Sequence, residues 1–287
     1  MKITRRLVLL LMLMVCITVG LWAADSEITG NLKLIGSTAP EFKVEAGYTV
    51  KMPFLQGEGP LFSTNNIRLK GIMGITPITG SLNFEAIMTP IAVMELSVGG
   101  VLGTGWNFDL MELQGLREWD GISDKATSAS MEGVYYKGKG GAALQFDTAA
   151  IWPGDWTSVV VRTYHEINYQ GFTYETSSTG GWEFETGGLH QNSFNYKGDY
   201  LVGYQMPLVI NTVAIMLETY KDNIGNSLEI DGLVFDLGLV TNFKFGERIN
   251  LTVIPQMTTK KSDSDTRVMS KVDFTFKRVA AMLNYAF

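Results

Sequence analysis

The chain has 287 residues, 46% of them hydrophobic and 18% charged, with a formal net charge of −6. So few charges, against the ~25% usual for soluble proteins, together with that hydrophobic content, exclude a disordered chain. The pI of about 5.1 argues against a nucleic-acid partner, since such domains are usually basic.

Lys2, Arg5 and Arg6 precede an apolar run from Leu7 to Leu21, and the small residues Ala23 and Ala24 follow. This is the order of a secretory signal peptide, and the run is shorter than the ~20 residues of a membrane-spanning helix. Residues 1–24 are expected to be removed, leaving 25–287 as one domain, although Trp22 or Leu21 stands where a small residue favours cleavage. The single cysteine, Cys16, lies in this leader, and Leu13-Met14-Val15 before it lacks the small residues of a lipoprotein box. The remaining chain therefore has no disulfide or thiol chemistry. Taking three basic residues from 23, against 29 acidic ones, leaves a mature net charge of −9.

Beyond residue 25 no run approaches ~18 apolar residues, so no spanning helix is expected. The recurring signal is alternation of apolar and polar residues in segments of about ten, the pattern of transmembrane β-strands. Twelve segments are predicted: 27–35, 41–54, 65–74, 79–88, 91–103, 141–152, 156–169, 199–206, 208–220, 232–245, 248–259 and 276–287. In 80–88, Leu82, Phe84, Ala86 and Met88 oppose Ser81, Asn83 and Glu85. In 233–245, Leu233, Phe235, Leu237, Leu239, Phe243 and Phe245 oppose Asp236, Gly238, Asn242 and Lys244. Segments 199–206 and 208–220 alternate poorly, so ten or fourteen strands stay open.

A soluble β-sandwich also alternates. Connection lengths separate the two folds. Those after even-numbered segments are mostly tight (Thr89-Pro90, Pro153-Gly154-Asp155, Pro207, Gly246-Glu247), whereas those after odd ones include 104–140 and 170–198. Short turns at one end and long loops at the other suit a membrane barrel and have no reason in a sandwich. One phase break needs repair. Phe274 and Phe276 are apolar on even numbers, but Val279, Ala281 and Leu283 on odd ones, which predicts a bulge near 277. Pro255 sits inside a predicted strand, where it deletes a ladder hydrogen bond.

Val279, Ala281, Leu283, Tyr285 and Phe287 alternate to a final aromatic residue. This ending resembles the terminal strand of bacterial outer-membrane β-barrels, including the porins. The resemblance implies an outer-membrane location, lipid around the barrel, both termini in the periplasm, and recognition of Phe287 by the barrel-insertion machinery. The expected fold is an all-β, antiparallel transmembrane barrel of about twelve strands, monomeric or weakly oligomeric. Leu82, Phe84, Met94, Leu96, Leu237, Leu251 and Leu283 would face lipid. Trp152, Trp156, Tyr285 and Phe287 would form a periplasmic aromatic girdle.

The inward face carries Lys33, Lys43, Glu45, Lys51, Arg68 and Lys70 on the first three strands and Glu85, Glu95 and Asp147 on the next three. Arg162 and Glu166 share one face of the seventh. A basic wall beside an acidic wall would set a transverse field in a narrow wet pore for small hydrophilic solutes. Gly99 and Gly238 are expected to leave room inside it. The alternative is that these charges pair and plug a barrel acting through its loops as a structural or adhesive surface. Twelve strands lie between the packed eight and the open sixteen.

No catalytic, metal or cofactor motif is recognisable. Gly-x-Ser-x-Gly, the phosphate loop and the dinucleotide fingerprint are missing, and Tyr169 replaces the second histidine after His165-Glu166. His165 is predicted to point outward near a strand end, and His190 to lie solvated in the 170–198 loop. Neither has the His-x-Ser-Asn-Gly context of outer-membrane phospholipases, and nothing supports an omptin-type role for His190. An autotransporter translocator would follow a large passenger, for which few residues precede the first strand. The 104–140 connection (Leu110, Met111, Leu113, Leu116 and Trp119) is too apolar for a water-exposed loop. Extended strands above the membrane are expected there in preference to an inward constriction. Polar, Gly-rich 170–198 suits adhesion or carbohydrate contact. Asp222, Asn223, Asp263 and Asp265 lack a calcium-loop spacing.

Overall fold

A sheet built from alternating segments has one apolar and one polar face, and two edges whose N–H and C=O groups lack partners. Here the edges are joined. In the computed structural model twelve strands form a closed antiparallel barrel in sequence order. They are β1 (Glu27–Ser37), β2 (Glu41–Pro53), β3 (Asn66–Ile75), β4 (Thr79–Ile91), β5 (Met94–Gly105), β6 (Tyr135–Asp147), β7 (Val159–Phe172), β8 (Ser193–Gln205), β9 (Ile210–Ile224), β10 (Val234–Phe245), β11 (Ile249–Thr258) and β12 (Thr275–Ala286). The structure describes residues 26–39, 41–108, 113–120, 125–130, 133–173, 181–185, 190–226, 232–259 and 274–287; the leader, its cleavage sites, Asp263 and Asp265 lie outside them.

Each predicted segment corresponds to one strand, with displaced ends where glycine hides the alternation. Strand β6 starts at Tyr135 rather than 141, because Gly138, Gly140 and Gly141 give neither face a hydrophobic signal. The bulge expected near 277 is present. Gln256 pairs with Arg278 but Met257 with Phe276, so Lys277 is the extra residue and the apolar face changes phase across it. A second shift between Ile210 and Thr212 weakens the alternation of β9. Pro255 interrupts the β10–β11 ladder, whose pairing lapses between Gly238–Gln256 and Thr241–Val253.

The seam closes between β1 and β12, from Asn31–Ala286 to Ser37–Ala280. Beyond it, Gly30 and Phe287 exchange backbone hydrogen bonds of 2.8 and 2.9 Å. The Phe287 ring lies over Gly30, where a Cβ would fall 2.8 Å from its Cδ2, and Tyr48 meets that ring edge-on at 5.9 Å.

The exterior is apolar. Phe84, Val98, Leu144, Ile167, Val202, Ile215, Leu239 and Leu283 are all exposed on it. Trp152, Trp156, Tyr285 and Phe287 are exposed at one end of the barrel, the end with the short turns. They are not core aromatics.

Candidate functional site

Adjacent strands place inward residues in rows, and one row explains the lumen's middle. Lys70 stands opposite Glu85, Glu85 opposite Gly99, and Gly99 opposite Lys139. Gly99 has no side chain, so Lys139 crosses over it to reach Glu85, Nζ to Oε1 at 2.6 Å. A Cβ on Gly99 would sit 3.2 Å from Lys139 Cε. The glycine does not leave room; its space is the path of an ion pair. Gly238 is filled likewise, with Ile254, Gln256 and Met216 within 3.6 Å of a Cβ there.

The charges do not sort into a basic and an acidic wall. They interleave. Glu95 takes Arg68 on one side and Arg162, at 3.5 Å, on the other. Glu166 accepts from Lys137 at 3.0 Å and from Tyr164 Oη at 2.8 Å. On the far side Lys197 lies between Asp199 (3.2 Å) and Glu218 (3.3 Å). Gln256 then donates to Glu218 at 3.0 Å and accepts from Arg278 Nε at 2.8 Å, and Arg278 pairs with Glu41. Lys277 turns inward from the bulge onto Asp236. Leaving one of these charges unpaired would cost several kcal/mol, on the order of the desolvation penalty, and ion pairs meet that cost from strand to strand.

Of the eight residues singled out in the sequence, six line one cavity of about 480 Å³: Arg68, Lys70, Glu85, Glu95, Arg162 and Glu166. Lys43 stands outside it, between Glu45 and Glu185. Asp147 is at the short-turn end, where its Oδ1 accepts from Ala149 N and its Oδ2 from Ser158 Oγ. Sequence reasoning did not single out Lys137, Lys139, Lys197, Asp199 or Glu218. Strands started too late, at 141 and 199, left the first three out, although their alternation with Gly138, Gly198 and Tyr196 carries the period.

A cap covers part of the opposite mouth. Segments Leu116–Asp120, Lys125–Ser130 and Gly181–Phe184 form a small sheet. Leu116 and Trp182, each 1% exposed, pack with Tyr135 and Phe172 against the barrel's inner face. Phe184 stacks on Tyr135 with centroids 4.5 Å apart and fills the space beside Gly103. At the far edge Glu185 N donates to Gly115 O, and its carboxylate accepts from Thr79 Oγ1 at 2.8 Å. Arg117 and Glu183 pair at 2.5 Å. Within the 104–140 connection the described segment Leu116–Asp120 thus lies across the mouth, where Leu116 finds a dry face, and β5 and β6 reach beyond their predicted ends; Leu110 and Met111 lie outside the described residues.

Both histidines depart from expectation. His190 is held by a two-way backbone bridge to Trp182 and by Gln170 Nε2 at 2.7 Å. His165 points outward as expected but sits in mid-strand, its Nδ1 2.9 Å from Tyr196 Oη. Asn223, in a left-handed conformation (φ 59°), turns its Oδ1 to Gln191 N rather than to an ion site.

No family model matches the chain, and no curated protein sequence matches it. Solved structures similar to it include the NanC porin, at 8% identity and TM-score 0.43, covering 91% of this chain and 99% of that one. The β-domain of the Bordetella autotransporter BrkA is 10% identical, TM-score 0.44, with 91% and 98% covered. The NalP translocator domain from Neisseria meningitidis is 12% identical, TM-score 0.40, with 91% and 88% covered.

Proposed function

We propose that this chain is an outer-membrane barrel providing a narrow, capped passage for small hydrophilic solutes. An apolar exterior around a charged interior inverts the order of a soluble protein, and a closed barrel, having no free edge, pairs its strands' backbone groups with one another as hydrocarbon demands. Strands of ten to fifteen residues, at ~3.3 Å each and tilted ~40°, span a hydrocarbon layer of ~25 Å or more. The observation that carries the passage is the mid-lumen cavity, polar-lined and large enough for several waters.

A second reading, a non-conducting surface barrel acting through its loops, is favoured by the ion-pair network, which answers every carboxylate of the cavity, and by the cap. Planar-bilayer recordings separate the two. The passage predicts discrete openings of refolded protein, with larger or more frequent openings in Trp182→Ala, which loosens the cap. Electrical silence of both folded proteins would overturn the passage and leave the surface barrel.

A further inference from the structure

We propose that the mid-lumen cavity binds a small, hydrophilic monocarboxylate, paired with Lys70 Nζ. The site rests on the passage reading for its place in the protein but makes its own claim. Five cations and four carboxylates line the cavity. Every carboxylate there is already answered: Glu85 by Lys139, Glu95 by Arg68 and Arg162, Glu166 by Lys137, Asp199 by Lys197. Lys70 is the cation left over. Among the described residues no carboxylate lies within ion-pair distance of its ammonium, and the Lys139–Glu85 pair occupies the carboxylate opposite it in the ladder.

Arg68, two residues along the same strand, spends its Nη2 on Glu95, while its Nε is buried with no acceptor. Residues i and i+2 of a strand share a face about 7 Å apart, so the Arg68 guanidinium, its Nε enclosed, adds positive potential beside the Lys70 ammonium. The lining itself is short by one negative charge. A single carboxylate supplies it, accepting from the ammonium. A dianion would overcompensate, and a neutral solute would leave Lys70 uncompensated. Gln145, and Tyr164 as an acceptor, offer partners for hydroxyl groups on the remaining wall, which selects a hydroxylated acid over an apolar one.

Titration calorimetry on the full chain refolded in neutral detergent, at low salt, tests this with gluconate and its uncharged counterpart sorbitol. Gluconate should bind with one site per barrel, and sorbitol at least about tenfold more weakly. Lys70→Met should weaken gluconate at least about tenfold, and Lys70→Arg should retain it. Circular dichroism and heat-shifted gel mobility check that both variants fold. No gluconate binding by folded wild type, unchanged binding in Lys70→Met, or equal binding of sorbitol would overturn the site. Chloride competing as strongly as gluconate would overturn the carboxylate class. Binding in detergent needs no conduction, so a silent barrel that binds gluconate refutes the passage alone, and a conducting one that does not bind refutes the site alone.

Discussion

Asp236 and Lys277 form the most one-sided ion pair of the lumen. The Asp236 side chain is 2% exposed and the Lys277 side chain 31%. Apart from Lys277, the hydrogen-bond partner of the carboxylate is Tyr220 Oη, at a long 3.5 Å. In Lys277→Met the buried carboxylate loses its counter-ion, and breaking a buried pair in this way costs about 3–5 kcal/mol. In Asp236→Asn the ammonium left behind is partly exposed and can turn to lumen water, so the loss is that of a charge-assisted bond, about 1.5–3 kcal/mol. The double variant removes both charges, and replacing a whole buried pair is often near neutral. It should therefore unfold within about 2 kcal/mol of wild type and well above Lys277→Met. Equilibrium urea unfolding in lipid vesicles, followed by tryptophan fluorescence, gives all four stabilities. Two results would refute the reasoning: additivity of the single losses within about 0.5 kcal/mol, or a larger loss in Asp236→Asn than in Lys277→Met.

Gly30→Ala pushes a methyl group into the Phe287 ring and should lower barrel stability by about 1–3 kcal/mol, the usual cost of overpacking; a heat-modifiability midpoint unchanged from wild type would count against it. Gly99→Val blocks the path of Lys139 to Glu85 and should destabilise more than Gly140→Val, where nothing lies within 4 Å of a Cβ, as read in the same urea series. Trp182→Ala removes the centre of the cap at about 3–5 kcal/mol, and external protease should then cut the 173–192 connection faster in intact vesicles. In single-tryptophan variants, lipids brominated near the headgroup should quench Trp152 and Trp156 and spare Trp182.

The fold was legible because a closed barrel with an apolar exterior and a charged interior writes its two surfaces into alternate residues. Leu237 beside Asp236, and Leu251 beside Asn250, mark the outward side and the inward one. Even the defect at 277 was visible, since a one-residue insertion must reverse the phase of everything beyond it. The interior arrangement was not legible. Whether Glu85 faces a pore or a lysine depends on Lys139, 54 residues away and two strands over, brought to it across a glycine that no periodicity marks. The cap was hidden for a similar reason. Its apolar residues were conspicuous, but Leu116 and Trp182 come from different loops, and only the closed barrel gives them a common surface.

The seam between β1 and β12 sets a constraint on how the barrel comes to exist. Asn31 and Asn284, hydrogen-bonded across it at 3.2 Å, are 253 residues apart in the chain. Every other barrel ladder joins consecutive strands and can grow by local zipping. This one requires a single loop closure over nearly the whole domain, an entropic demand that earlier ladders reduce by curling the sheet until its edges approach. Contacts of such separation slow folding, and until they form, β1 and β12 each expose a strand edge that can template a foreign strand. The double exchange between Gly30 and Phe287 lies at the end of that last ladder, so it works as a clasp, turning a curved ribbon with two sticky borders into a closed cylinder with none.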